Sequence, residues 1–529
     1  SMVMQVKNKT FLSLLAAVLL SVSWPERGLT LLIFIAWVPL FLLEEYCHQN
    51  TEQKKFRLFG WTYFAILGWN ALTTWWVCNA SFGGGLFAIF CNSLFMTGVF
   101  YAFHIVKKKK GHVWGYAALI IFWVAFEYLH LNWELSWPWL TIGNVFATKP
   151  QWIQWYEWTG VLGGSVWVLL VNILITRIFF ATAEKLKRSV IYATIAIIFP
   201  VLISLLRYNT YNEEENPVNV IATQPNIDPY GEKFSGMSNV DQLIQVLRLA
   251  NLELYDSSDV ILAPETAIAN SIWEDEIELY PEIKLIRNYL QANPGTSIII
   301  GASTNRAYLN GQKPSSTARK FKDQDGYYDS YNTALLFENG RPAQIFHKSK
   351  LVPGVEKMPY PKIFGFLEKL SIDMGGTAGS LGVQDEPTVF TTKNGMVVAP
   401  VICYESIYGG YLAKYVRKGA QWISIITNDG WWGDTPGYRQ HFNYARLQAV
   451  SLRRSIGRSA NTGISGFINQ RGDTFQQTPY WKDAVVRQAI NKNNKLTFFA
   501  QHGDYPGLIA SFLVLPIIVI TFFGKRKNQ

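Results

Sequence analysis

The sequence predicts an α-helical membrane bundle of eight spans joined to a mixed-sheet α/β domain. Three observations predict it. Only 16% of the 529 residues are charged and 49% are hydrophobic, whereas soluble domains carry about 25% charged residues. Seven apolar stretches precede residue 210, and an eighth, Leu508 to Phe523, closes the chain. Between them lies a polar segment in which short strand-like runs alternate with helical periodicity.

The apolar stretches are 11–24, 29–46, 59–78, 86–106, 114–130, 158–180 and 190–207. Several approach the roughly 20 residues needed to cross a bilayer. The first is short, but no small-residue cleavage site follows it and Trp24-Pro25 leads into the next apolar run, so it reads as a span. Basic residues alternate between loops. Lys7 and Lys9, then Lys54, Lys55 and Arg57, then Lys107 to Lys110, then Arg177, Lys185, Lys187 and Arg188, then Lys525 to Lys527 fall on one side. Arg27 and Lys149 are all the other side holds. The positive-inside rule then puts both termini in the cytoplasm and the polar segment on the outer face. The net charge of +10 reads as topology and not as a nucleic-acid surface. The loop 131–158 is dense in Trp, which reads as anchoring at headgroup depth. Glu127, near the outer end of the fifth span, reads as an acid that reaches water. Few polar residues are expected inside the bundle, which argues against a transporter.

The domain boundaries are therefore 1–217 for seven spans, 218–495 for the α/β domain, and 496–529 for a linker, the eighth span and a basic tail. Within the domain, strands are expected at 219–223, 260–263, 297–301, 332–337, 343–347, 397–402 and 422–427. Asn339-Gly340 marks a hairpin turn. Helices are expected at 240–255, at 272–290 with a break at Pro281, and at 440–453. A last hairpin turns at 469–473.

Of the four cysteines, Cys47, Cys78 and Cys91 belong to the apolar half, and Cys403 stands alone in the polar half. No disulfide framework, metal-ligand spacing or phosphate loop is visible, so no cofactor and no metal are expected. Cys403 ends the run Val397–Ile402, and Gly409 and Gly410 soon follow, the pattern of a strand delivering a nucleophile at a sharp turn. A helix start there is expected to lower the thiol pKa. A lone Cys is more often a buried structural residue, so its companions decide. Glu265 follows the run Val260–Pro264, and Lys348 follows the hairpin strand. A carboxylate can serve as general base toward a thiol. An ammonium can stabilise both the thiolate and the oxyanion of a tetrahedral intermediate.

Ala263-Pro264-Glu265, Lys348 followed by Leu351-Val352-Pro353, and Cys403-Tyr404-Glu405, in that order, resemble the Glu-Lys-Cys triad of the nitrilase superfamily. With seven spans before and one after, the chain as a whole resembles the apolipoprotein N-acyltransferase family. Gln224-Pro225-Asn226-Ile227, Tyr331-Asn332-Thr333, Asn428 to Asp434, Gln440-His441 and Arg458 to Gly463 match it further. The resemblance implies a nitrilase-like αββα sandwich on a membrane bundle. It implies Glu265 as base, Lys348 as the ammonium, Cys403 as nucleophile, and Glu356 as the glutamate that holds the lysine. It makes the Tyr404 amide an oxyanion donor and places Glu405, Asn332 and Trp431 around the site. Lys350 competes with Lys348, since a two-residue shift keeps the face and moves the ammonium by roughly 7 Å; the spacing to Leu351-Val352-Pro353 selects Lys348.

The implied activity is two-step transfer of an acyl chain from a phospholipid to the α-amino group of a diacylglyceryl-cysteine on an apolipoprotein, through a Cys403 thioester. The implied setting is the bacterial inner membrane, with the domain on the periplasmic face of a monomer. A membrane-tethered amidase or nitrilase uses the same triad and is the alternative. Two motifs depart from the family: Pro353-Gly354-Val355-Glu356 where it has Pro-Phe-Gly-Glu, and Lys233-Phe234 where it has Lys-Trp. The segment Lys357–Leu370 mixes aromatics with lysines and reads as a loop that dips into the membrane as a lid.

Overall fold

The computed structural model describes residues 9–50, 56–231, 233, 236–255, 260–364 and 380–524. The chain divides into two compact units, Ser1–Val77 with Gly85–Thr210 and Asp504–Gln529, and Cys78–Gly84 with Tyr211–Gly503.

The first unit is helical. It comprises α1 (Lys9–Val22), α2 (Val38–Gln49), α3 (Phe56–Thr74), α4 (Phe82–Lys110), α5 (His112–Asn132), α6 (Val161–Phe179), α7 (Ala183–Thr210) and, near the chain's end, α12 (Tyr505–Phe523). Among the described residues, six segments are long and apolar enough to cross a membrane: Thr30–Gln49, α4, α5, α6, α7 and α12. α1 is shorter, at 14 residues, and α3 carries Arg57 and Asn70. α7 and α12 turn Phe199, Leu206, Phe512 and Leu515 outward, as helices facing lipid do.

The interior of this unit differs from expectation in three places. Of the six tryptophans between 131 and 158 only Trp158 is exposed; Trp139 packs edge-on to Trp76 at 4.7 Å. Glu127 does not reach water. It is buried and accepts hydrogen bonds from the Ile142 N–H at 2.8 Å and the Trp123 indole at 3.2 Å, so it pins the turn Ile142–Phe146. Polar side chains are more numerous inside than the sequence suggests. Lys107, read as a solvent-facing topology charge, is buried between the carboxylates of Glu44 and Glu45, with His104 Nδ1 2.7 Å from Glu44. Asn70, Asn92 and His130 form a second buried chain of hydrogen bonds. A carboxylate or amide can lie this deep only with such partners.

The second unit holds two sheets. The first runs β14 (Ala484–Asn491), β1 (Pro217–Gln224), β2 (Val260–Leu262), β4 (Ser297–Ala307), β6 (Tyr327–Glu338), β5 (Arg319–Lys320), with β3 (Ile268–Trp273) paired to β4 and β7 (Gln344–His347) to β6. The second runs β13 (Thr474–Phe475), β12 (Gly466–Ile468), β11 (Ile456–Ala460), β10 (Trp422–Thr427), β9 (Val397–Ile402), β8 (Phe390–Thr391). The β1–β2–β4 and β9–β10–β11 cores are parallel, and the burial of both faces explains why β2, β9 and β10 read as short apolar runs.

The sheets face each other closely. A Cβ at Gly457 on β11 would come within 3.2 Å of Leu262 and Val220, and Ser459 Oγ donates to Thr223 O at 2.6 Å. α8 (Asn239–Asn251) and α9 (Pro281–Ala292) cover the first sheet through Leu243, Val246, Ile283, Ile286 and Leu290. α10 (Gly409–Arg417) lies along β9, and α11 (Pro436–Leu452) lies along β12. The result is an α/β sandwich in four layers. Residues 272–290 are not one helix: β3 and a 3-10 turn, Glu274–Leu279, precede α9, which starts on Pro281. Proline suits that first position because its missing N–H has no partner there anyway. β14 and β11 have no counterpart among the expected strands.

Candidate active site

The end of β9 forces Cys403 into an unusual backbone. Its φ is 51°, and it opens a 3-10 turn, Cys403–Ile407. For an L-residue that region costs about 1–2 kcal/mol. Two buried side chains hold it there. Glu405 Oε1 accepts from Ile402 N at 3.1 Å, while Oε2 accepts from Ser349 N at 2.9 Å and Lys350 N at 3.2 Å. Burial pushes the Glu405 carboxyl up to about 7 despite these three donors. On the other side, His441 Nε2 lies 2.9 Å from the Cys403 carbonyl oxygen, which can only accept, so Nε2 carries a proton.

Glu265 leaves the end of β2 opposite β4. Only a glycine lets β4 pass: a Cβ at Gly301 would sit 2.6 Å from both Pro264 O and Glu265 Cα. Glu265 Oε2 accepts from Asn332 Nδ2 at 2.8 Å, and the same amide reaches Glu356 Oε2 at 3.3 Å. Lys348 closes the group. Its Nζ is 2.7 Å from Glu356 Oε1 and 3.5 Å from Glu265 Oε2, and its backbone N–H donates to Asn332 O. Lys350 points elsewhere, with Nζ over the rings of Tyr408 and Tyr411.

Burial would draw the Lys348 ammonium down, but Glu356, Cys403 and Glu265 outweigh it and hold the pKa above that of an ordinary lysine. Burial raises Glu265, helped by Glu356 and opposed by Lys348 and Asn332. Cys403 departs from the expected lowered thiol. Burial, then the Glu265 charge, push it up, and Lys348 and a hydrogen bond with Thr427 offset only part. The turn after Cys403 is a short, buried 3-10 helix, too small a dipole to counter that burial. The same burial that raises Glu265 thus disfavours the thiolate of Cys403.

Tyr404 is buried, its ring edge-on to Tyr408 at 5.2 Å. Trp431 lies on the loop after Asp429, edge-on to Tyr230 at 5.1 Å, and its carbonyl accepts from the Tyr230 hydroxyl at 2.6 Å. Of the expected lid, Lys357–Phe364 is described, with one helical turn at Pro361–Phe364 and Ile363 exposed. Its remainder, 365–370 with Phe366, lies outside the described residues, as do Phe234, Lys7, Lys54, Lys55 and Lys525 to Lys527.

Sequence reasoning gave no role to a buried network behind Cys403. Asp429 Oδ1 lies 2.8 Å from His441 Nδ1 and accepts from Thr427 Oγ1 at 3.0 Å; Oδ2 accepts from Arg458 Nη2 at 2.9 Å. All three charged or titratable side chains are fully buried. Burial alone would raise Asp429, but Arg458 and His441 hold it down at about 2. The donor atoms of Cys403, Asp429 and His441 lie within 4.8 Å of one another, a spacing that would admit a metal ion. The chemistry argues otherwise, because the Arg458 guanidinium already occupies a carboxylate oxygen of this donor set. The signals in the sequence were the family matches at Asn428 to Asp434, Gln440-His441 and Arg458 to Gly463, which gave these residues no role, and Arg458 itself, a charge in the middle of a strand of small residues.

Cys403, Glu265 and Lys348 are thus candidate groups of one site on an α/β sandwich, and residues 222–494 match the carbon–nitrogen hydrolase family. Residues 16–174 match the apolipoprotein N-acyltransferase N-terminal domain. The apolipoprotein N-acyltransferase of Chlorobaculum tepidum is 32% identical over 511 residues, covering 93% of this chain and 93% of its own. That of Geobacter metallireducens is 27% identical over 515 residues, covering 93% and 91%. The chain belongs to the apolipoprotein N-acyltransferase family.

Proposed function

We propose that this protein transfers an acyl chain from a membrane phospholipid to the α-amino group of an apolipoprotein's N-terminal diacylglyceryl-cysteine. The observation that carries this reading is the position of Lys348, shared by Glu265 and Glu356, in a chain whose described residues include six segments long and apolar enough to cross a membrane. Both substrates are lipid-borne, which gives a membrane unit a purpose that a soluble amidase lacks.

In the first step Cys403 Sγ attacks the ester carbonyl and its proton passes to Glu265. Lys348 and the Tyr404 amide take the developing oxyanion. The carbon–oxygen bond breaks, Glu265 returns the proton to the leaving oxygen, and a lysophospholipid departs. In the second step the acceptor's amine attacks the thioester carbonyl. Glu265 takes the amine's proton and delivers it to sulfur as the carbon–sulfur bond breaks. Glu356 fixes Lys348, Asn332 orients Glu265, Glu405 braces the cysteine turn, and Trp431 shapes the neighbouring loop. Incubation with phospholipid alone should leave an acyl group on Cys403 and release one lysophospholipid per chain, read by mass spectrometry. Transfer without that burst would remove the covalent step. Steady release of free fatty acid with no use of the acceptor amine would favour the amidase-like reading.

Eight spans complete the bundle in this reading, α1 and α3 joining the six. The boundaries are 1–217, 218–495 and 496–529, the protein is a monomer in the bacterial inner membrane, and the α/β domain is periplasmic. The loop charges support that orientation. A cysteine placed at Asp325, exposed on the domain, should react in whole cells with an impermeant maleimide, and one at Lys108 should not. The opposite pattern would invert the topology.

A further inference from the structure

Glu265 and Glu356 share a single ammonium, that of Lys348; Glu265 and Lys348 are buried, and the Glu356 side chain is only 13% exposed. Two carboxylates against one cation leave an excess negative charge in a low-dielectric site, which is strongly disfavoured. Asp429 is balanced separately by Arg458 and His441.

Among the described residues of this unit, one lysine besides Lys348 is buried. Lys233 is 0% exposed, and its Nζ has no hydrogen-bond partner among the described residues. The charge acting on it is that of Glu265. Its backbone is fixed from two sides: its N–H donates to Asp228 O at 2.9 Å, and its carbonyl accepts from Gln242 Nε2 on α8 at 2.6 Å. The turn leading to it is tied to the second sheet, where Asn461 exchanges two hydrogen bonds with Ile227. Nothing about lysine favours this place. An ammonium is compact and strongly hydrated, and it is buried at great cost unless an anion is set beside it.

We propose that Lys233 is a positioning residue of the active site, whose ammonium is the counter-charge that keeps Glu265 ionised while Lys348 is held by Glu356. The proposal rests on the reading of Glu265 as the base. Burial draws Lys233 down to about 8 while Glu265 draws it back, so it remains a cation at neutral pH. Glu265 touches Lys348 and Asn332, and the further charges or titratable groups that interact with it electrostatically are Glu356, Asp429, Cys403 and Lys233. Only the two lysines and Asn332 favour its carboxylate form. With Lys233 charged, two carboxylates meet two ammoniums, and the thiol proton has an ionised acceptor.

The test uses the full chain in detergent and iodoacetamide, with alkylation at Cys403 followed by peptide mass against pH. Sulfur bonds to the reagent's carbon, iodide leaves, and the thiol proton passes through Glu265 to solvent. No lipid takes part. Lys233→Met keeps the length and removes the charge. Without it the Glu265 pKa rises, so the acidic limb of the profile should move up by about one pH unit or more, and alkylation near the foot of that limb should fall about tenfold. Lys233→Gln should show the same shift, and Lys233→Arg should keep the wild-type midpoint. A merely structural lysine would scale the rate equally at every pH. That result, an unmoved midpoint in Met and Gln, or a shifted one in Arg, would overturn the proposal. Wild-type protein that alkylates normally but takes no acyl group from phospholipid would instead sink the donor reading and leave the Lys233 result intact.

Discussion

Replacing Cys403 with Ala should reduce acyl transfer to background while leaving the protein folded. The activity loss should be on the order of 10^4-fold or more, because in the proposed mechanism Cys403 forms the covalent bond and nothing can substitute for it. Stability should change by no more than about 1 kcal/mol, since the substitution removes one buried atom and keeps the Cβ. The positive φ at 403 adds no new strain, because Ala and Cys meet the same clash there. Cys403→Gly should be equally inactive and melt no lower than the Ala variant, the relief of strain offsetting the lost packing. Glu265→Gln and Lys348→Met should each lose nearly as much, and pairing either with Cys403→Ala should cost little more, because the three act as one unit. Lysophospholipid release and acyl-adduct mass measure all of these. Retention of even a few per cent of wild-type transfer in Cys403→Ala, with no contaminating wild-type chain, would assign the nucleophile elsewhere.

The centre of the second unit was legible because its parallel strands leave strong traces. Val397–Ile402 and Trp422–Thr427 are short apolar runs, and a strand buried on both faces must be one. Glu265 and Cys403 follow the ends of such runs and Lys348 follows a hairpin strand, so order along the chain gave their neighbourhood. What the sequence concealed was long-range. β14 pairs antiparallel with β1 across more than half the domain, and its Arg487 and Gln488 hide any apolar signal. Residues 272–280 carry helical spacing in isolation, yet β3 is fixed by pairing with β4. The thiol's environment was misjudged because a turn following a strand says nothing of how deeply it is buried. The bundle shows the same limit. Lys107 sits in a run of four lysines that reads as a cytoplasmic edge, and its true partners, Glu44 and Glu45, are two helices away in sequence. Loop charge counts therefore include a residue whose charge is already balanced inside the protein.

The network behind Cys403 yields the largest expected loss of stability. Arg458→Met should destabilise the second unit by about 3–5 kcal/mol, because it leaves Asp429 charged and buried with His441 and Thr427 as its remaining partners. The carbonyl of Ile464 would also lose the Nη1 donor that now reaches it at 2.6 Å. Lowering the pH should not rescue the wild type's arrangement in this variant. Its Asp429 carboxyl, now held at about 2, would rise toward the range of a buried acid and take a proton, and stability lost at neutral pH would partly return on acidification. Adding Asp429→Asn to Arg458→Met should recover most of the stability, since removing both partners leaves no uncompensated charge. It should not recover transfer. His441 would then lose the carboxylate that fixes its ring, and its Nε2–H would no longer hold the Cys403 carbonyl, so the strained turn would relax and carry sulfur away from Lys348. Thermal unfolding of the full chain in detergent, read beside acyl-adduct formation, separates the two effects. A double variant that regains transfer together with stability would show that the network serves the fold alone, and that Cys403 keeps its geometry without it.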